Sequence, residues 1–192
     1  MTALEAVGFV TGALCVWLAA RQVVWTFPVG IANNVAFAAL FVPAGLYAQA
    51  GLQVVYVVLG GLGWWWWLRA GPDRTPLRPT GTPPALVPVL AAGVVAGTAA
   101  LWALLATQTD STVPGWDALT TALSLCAQLM LNRKWVENWL VWIVADVVYV
   151  GLYASQGLWL TAVLYAGFLA LCVSGLRAYR AARVDRPVPV PA

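Results

Sequence analysis

A chain of 192 residues that is 62% hydrophobic and only 9% charged is not composed like a water-soluble domain of that length. Its net charge of +3 comes from ten lysines and arginines against seven acids, and it has no histidine. The missing imidazole excludes histidine-ligated haem, histidine zinc sites and serine–histidine proteolysis, and no Gly-rich phosphate loop supports ATP-driven pumping.

A helix needs roughly 20 residues to cross the hydrocarbon. The apolar runs predict seven such spans, at 3–20, 27–47, 52–68, 85–106, 116–132, 136–154 and 158–176. The first run has no basic region or small-residue cleavage site before Arg21, so it reads as a retained span. In the second, Pro28 falls in the first turn, where a missing N–H costs nothing, and Pro43 lies deeper, where it predicts a kink. The third ends in Trp64–Trp67, which cannot share one face, so at least two of these indoles face lipid or interface. The five prolines of Gly71–Pro84 exclude a continuous helix and mark a linker. The fourth span is almost bare of polar groups apart from Thr98. Its Gly93 and Gly97 suit a helix that links two halves or packs another subunit. Cys15, Cys126 and Cys172 fall in separate runs and read as small core residues. The tail Asp185–Ala192, alternating Pro and Val, is predicted to be disordered.

Threading these runs through a membrane places all ten basic residues on one side. Arg21 follows the first run, Arg69, Arg74 and Arg78 the third, Arg133 and Lys134 the fifth, and Arg177, Arg180, Arg183 and Arg186 the seventh. The opposite loops, Ala48–Gly51, Thr107–Gly115 and Ser155–Gly157, carry no basic residue and one acid, Asp110. Basic loops stay cytoplasmic, which predicts an outside N-terminus and a cytoplasmic C-terminus. Because these arginines flank spans, the charge does not read as a nucleic-acid patch.

GLYAQAGL at Gly45–Leu52 recurs as GLYASQGL at Gly151–Leu158, identical at six of eight positions with an offset of 106. Both are expected in the outer turn between the second and third helix of a three-helix set. The expected fold is therefore all-α and integral to the membrane: two parallel three-helix bundles joined by a linker helix. The divisions are 1–68 for the first repeat, 69–84 for the linker, 85–106 for the linking helix, 116–176 for the second repeat and 177–192 for the tail. Parallel repeats of this kind place a substrate site between the halves of a transporter.

Three stripes could carry chemistry. In span six, Trp135, Trp139, Trp142, Asp146, Tyr149 and Tyr153 follow at intervals of 4, 3, 4, 3 and 4, which puts all six on one face. An aromatic packing seam would account for the ends but not for Asp146. A carboxylate near mid-membrane costs about 2.5–3.5 kcal/mol and normally faces a cavity or partner. An acid among indole and phenol faces suits a flat cationic ring. In span five, Asp117, Thr121, Ser124 and Gln128, with Asn132 one turn on, form either interhelical hydrogen bonds or the lining of a path. In the first repeat, Gln53, Tyr56, Gly60, Gly63, Trp64 and Trp67 share a side, and span two adds Asn33 and Asn34. Trp64 is the expected ligand contact among the four tryptophans. Glu137 and Asn138 follow Arg133 and Lys134. Glu137 is a gate element or a surface ion pair worth little, and Tyr153 is a second gate candidate.

The segment Asp117–Phe168 resembles the bacterial nicotinamide riboside transporter family, PnuC, through Glu137-Asn138-Trp139, Trp142, Asp146, Leu152-Tyr153 and Leu164-Tyr165. The first half is similar in Trp25, Pro28, Gly30, Asn34, Leu46-Tyr47, Gln53, Tyr56 and Gly63-Trp64. The resemblance implies a homotrimer with a SWEET-like fold in the bacterial cytoplasmic membrane. It further implies facilitated diffusion of nicotinamide riboside with alternating access, trapping by a cytosolic kinase, and no cofactor. The implied substrate contacts are Asn34, Gln53, Tyr56, Trp64, Asp117, Gln128, Asn138, Trp139, Trp142 and Asp146, to which the stripes themselves add Ser124 and Tyr149. Related branches look like thiamine or riboflavin carriers, and the ENW…D stretch is closer to the nicotinamide riboside branch. A non-transporting membrane subunit or sensor would use the same stripes for assembly. An intramembrane enzyme lacks a nucleophile–base pair.

Overall fold

A computed structural model describes residues 3–42, 47–108, 113–155, 157 and 159–183. Among them the backbone forms seven α-helices: α1 (Ala3–Ala20), α2 (Thr26–Phe41), α3 (Tyr47–Arg69), α4 (Val87–Gln108), α5 (Pro114–Asn132), α6 (Asn138–Ser155) and α7 (Trp159–Ala181). They follow the seven predicted runs in number and order. Four described segments are long and apolar enough to cross a membrane: Ala50–Arg69, Pro84–Gln108, Asn138–Ser155 and Trp159–Ala181. α5 has the length, at 19 residues, but carries Asp117, Thr120, Thr121, Ser124, Gln128 and Asn132, which make it the most polar of the seven.

The chain divides into two compact units, Met1–Leu77 and Arg78–Ala192. In the first, α2 packs on both α1 and α3. In the second, α4 packs on α5, α5 on α6 and α6 on α7. α4 has no buried residue, as expected of a helix facing lipid, and a methyl group added at Gly97 would touch Ala122 Cβ of α5 at 3.7 Å.

α1 and α5 end in the same way. Gln22 (φ 57°) and Lys134 (φ 52°) adopt the left-handed conformation after the last helical turn. At the first, Gln22 N–H bonds Ala19 O and Val23 N–H bonds Leu18 O, both at 2.9 Å. At the second, Lys134 N–H bonds Leu131 O at 2.8 Å and Trp135 N–H bonds Met130 O at 3.1 Å. This is the Schellman arrangement, which satisfies the orphan carbonyls of a helix end, here without the usual glycine. The equivalent residues are 112 apart, and the spacing holds through both units. α1 ends at Ala20 and α5 at Asn132, α2 starts at Thr26 and α6 at Asn138, and α3 and α7 run from Tyr47 to Arg69 and from Trp159 to Ala181.

That register corrects the expected offset of 106. Tyr47 of the first octapeptide opens α3, whereas Tyr153 of the second lies inside α6, before its end at Ser155. The stretch Ala48–Gly51, expected as a turn, is the first turn of α3. Small apolar residues there continue the helix where composition alone suggested a loop. Pro43, Asp110, Gln156, Leu158, Arg186 and the Pro–Val tail lie outside the described residues.

The proline-rich linker is extended apart from single 3-10 turns at Pro72–Arg74 and Pro84–Leu86. It is nonetheless held. Thr80 N–H bonds Lys134 O at 3.1 Å and accepts Val136 N–H on its own carbonyl at 2.9 Å, a parallel bridge to the turn between α5 and α6.

Candidate functional site

Five of the six stripe residues, Trp139, Trp142, Asp146, Tyr149 and Tyr153, lie on α6, whose neighbour is α7, while Trp135 precedes the helix in the turn that Thr80 bridges, so the expected face is one residue shorter. The facing residues of α7, Tyr165, Phe168, Cys172, Gly175 and Tyr179, follow at intervals of 3, 4, 3 and 4, so two helical stripes meet in register. Tyr165 lies 4.5 Å from Tyr149 and stacks on Tyr153 at 5.2 Å between ring centroids, with Phe168 edge-on to it at 5.7 Å. In the middle of the seam, the Cys172 thiol donates to Asp146 Oδ2 at 3.3 Å. Asp146 and Cys172 are 5% and 3% exposed. At the far end, Trp139 meets Tyr179 edge-on at 5.4 Å and lies flat against Gly175. A Cβ at Gly175 would come within 2.6 Å of the indole, so only glycine permits this approach.

α5 closes the end of the seam away from the arginines. The Tyr149 hydroxyl reaches the side chains of Thr120 and Ser124, with Asp117 close by. Thr120 itself donates to Trp116 O at 2.8 Å, the local back-bond expected of threonine in a helix. Gln128 donates to Asn132 Oδ1 at 3.0 Å, so the span-five stripe is partly satisfied within its own helix.

The basic end of the second unit gathers buried polar groups. Asn138 is fully buried and donates to Trp135 O at 2.6 Å. Its Oδ1, the Trp139 Nε1 and the Tyr179 hydroxyl have no hydrogen-bond partner among the described residues. A buried group left so costs about 1–3 kcal/mol. Next to them, Glu137 Oε2 accepts both the N–H and the hydroxyl of Thr82, at 2.7 and 2.8 Å. Burial pushes the Glu137 carboxyl up, but the two Thr82 bonds, its own backbone N–H and the Arg183 charge together hold it below the ordinary carboxylate value. Burial lowers the Lys134 ammonium to about 8. Of the two readings of Glu137, the contact seen is with the linker.

In the first unit, Asn34, Gln53 and Tyr56 are half-buried and Trp64 is 39% exposed. The tryptophan inside that bundle is Trp67, edge-on to Phe27 at 5.0 Å, while Trp64 and Trp65 face outward. Thr11 donates to Asn33 Oδ1 at 3.0 Å.

Asp146, Tyr149 and Ser124 are therefore brought together on one wall of the second unit, while Asn138 and Trp139 sit at its basic end. Trp142 is half-buried. Sequence reasoning passed over Cys172, Thr120 and Tyr179. The available signal was the 3, 4, 3, 4 recurrence on the last helix, a pattern that also fits plain core packing.

Apolar helices with arginines at their ends and one carboxylate buried among rings describe a polytopic helical membrane protein. The chain belongs to the nicotinamide mononucleotide transporter family, whose family model matches residues 2–181. It is 27% identical to the nicotinamide riboside transporter PnuC of Escherichia coli K12, over 91% of this chain and 83% of the relative. It is 28% identical to the riboflavin/roseoflavin transporter RibM of Streptomyces davaonensis, over 96% and 88%. The crystal structure of a vitamin B3 transporter PnuC superposes with a TM-score of 0.71, at 22% identity, over 93% of this chain and 80% of that one, and so shares its fold.

Proposed function

We propose that this protein carries nicotinamide riboside into a bacterial cell across the cytoplasmic membrane, by facilitated diffusion with alternating access. The observation that carries the reading is Asp146, the ninth of eighteen residues in α6, buried beside the Tyr149–Tyr153–Tyr165 cluster. A fixed pyridinium charge finds there an acid to offset it and rings to stack on. Family membership and the PnuC relative favour the same substrate. An inside-negative potential contributes about 2.3 kcal/mol per charge per 100 mV, so a cation is drawn inward without a pump. Phosphorylation by a cytosolic kinase would then trap it.

The architecture in this reading is two like-oriented three-helix repeats with α4 linking them, supported by the constant 112-residue register. The N-terminus is outside and the subunits form a homotrimer. Asn34, Gln53, Tyr56 and Trp64 of the first repeat, with Asp117, Ser124, Gln128, Asn138, Trp139, Trp142 and Tyr149 of the second, are further substrate contacts. Tyr153 and Glu137 are gate elements.

A second reading, riboflavin as cargo, is favoured by the RibM relative, which is matched along more of this chain. A thermal-shift screen of the purified protein against nicotinamide riboside, thiamine and riboflavin separates them. Stabilisation by nicotinamide riboside is expected, and a response to riboflavin alone would overturn the substrate assignment.

A further inference from the structure

Of the α7 residues that meet α6, Cys172 is the one that hydrogen-bonds Asp146 among the described residues. In lipid a buried acid has no water to bond, so each donor that reaches it matters. A thiol is a weak donor but a small one, and here both partners are almost fully buried at 3.3 Å. The other repeat supplies an internal control. At the 112-residue register, Asp146 corresponds to Asn34 and Cys172 to Gly60. A Cβ at Gly60 would meet Ile31 Cγ1 at 3.0 Å, so that seam has an amide in place of the acid and no side chain across from it. A donor occurs at this position only where the acid does.

We infer that Cys172 is a positioning residue for Asp146: its S–H holds Oδ2, fixes the rotation of the carboxylate and leaves Oδ1 as the oxygen that meets the substrate. The inference rests on the reading of Asp146 as a substrate group. It also changes the role of Cys172 from inert core filler to part of the specificity machinery, acting through another side chain.

Isothermal titration of the full-length purified protein with nicotinamide riboside tests it, using wild type, Cys172→Ala, Cys172→Ser, Asp146→Asn and the Asp146→Asn/Cys172→Ala double variant. Losing one modest hydrogen bond should weaken binding about fivefold in Cys172→Ala. The serine variant, which can still donate, should recover most of that loss. The alanine change should cost clearly less in the Asp146→Asn background, where the thiol donates only to a neutral amide oxygen, a result that a general packing defect would not give. Wild-type affinity in Cys172→Ala, or the same fold loss in both backgrounds, would overturn the inference. If the alanine variant does not purify, Cys172→Val supplies a non-donating side chain of similar size for the same comparison. A wild-type protein that fails to bind nicotinamide riboside would overturn the functional reading, and this inference with it.

Discussion

α1–α3 and α5–α7 share a 112-residue register at their helix ends and differ in what their side chains do with it. Where Phe27 meets Trp67 edge-on in the first repeat, Trp139 meets Tyr179 edge-on in the second, at the same register and within half an ångström in centroid distance (5.0 against 5.4 Å). Phe27 has no polar atom, whereas Trp139 and Tyr179 each bring one that finds no partner. Gly8 lies against the Phe37 ring, while its counterpart Thr120 reaches the Tyr149 hydroxyl. Asn34 and Gly60 become Asp146 and Cys172. At each of these positions the second repeat is the more polar. Packing geometry is thus separable from polarity: ring shapes and helix ends recur, whereas the polar groups move, since the first unit keeps its own pair at Thr11 and Asn33 where the second has Leu123 and Ala145.

The sharpest way to break this comparison is to test whether the two seams tolerate volume equally. In Gly175→Ala the new methyl would lie 2.6 Å from three atoms of the Trp139 indole, a rigid ring wedged against Tyr179. In Gly60→Ala it would meet Ile31 Cγ1 at 3.0 Å and Cδ1 at 3.5 Å, an approach relieved if the side chain gives by a few tenths of an ångström. Overpacking costs about 1–3 kcal/mol, and replacing a mid-helix glycine by alanine returns up to about 1 kcal/mol. Thermal unfolding in detergent should therefore drop by several degrees for Gly175→Ala and barely move for Gly60→Ala. Equal losses would show the two seams to be equally tight.

Tyr179→Phe is a milder change that strips the polar atom from one member of the pair and keeps its ring. It removes only a hydroxyl that is buried and unpartnered. If that group is merely tolerated, stability should rise by about 1 kcal/mol and transport stay unchanged. If a substrate bonds it, uptake into proteoliposomes should fall while the thermal midpoint does not. A fall in both would contradict the comparison, since it would mean the hydroxyl already stabilises the resting protein.

Much of this plan can be read from the sequence, and the failures have physical causes. Arginine follows four of the apolar runs and short polar stretches follow the other three, so seven helices and their order are legible. The α6 stripe is also legible as one face, because the spacing of Trp139, Asp146, Tyr149 and Tyr153 depends on that helix alone. What covers the face is not, since a periodic stripe looks the same whether α7 or a ligand meets it. The repeat was visible but out of register. Identity concentrates in an octapeptide, while the equivalent packing pairs, Phe27–Trp67 and Trp139–Tyr179, share ring shape and not residue type. The Asp146–Cys172 bond was hidden because cysteine in an apolar helix is usually silent.

The smallest effect concerns the linker, which the second repeat holds at Glu137 and the first repeat has no counterpart for, since Trp25 stands at the equivalent position. Two bonds from Thr82 to an ionised carboxylate are charge-assisted, but Glu137 is only half-buried, so solvent screening limits their net worth to about 1 kcal/mol or less. Glu137→Gln keeps an acceptor and loses the charge. The Thr82 amide should then exchange hydrogen a few-fold faster at neutral pH, with the Gln22–Val23 turn unaffected as the internal reference. The sign with pH follows from the lowered carboxyl. Its contribution is complete above the ordinary value of 4.5 and disappears as pH falls through the lower native value. The ratio of variant to wild-type exchange should accordingly shrink toward one below that point. A ratio that stayed constant with pH would mean that the linker is held by its backbone bridge at Thr80 and owes nothing to the charge of Glu137.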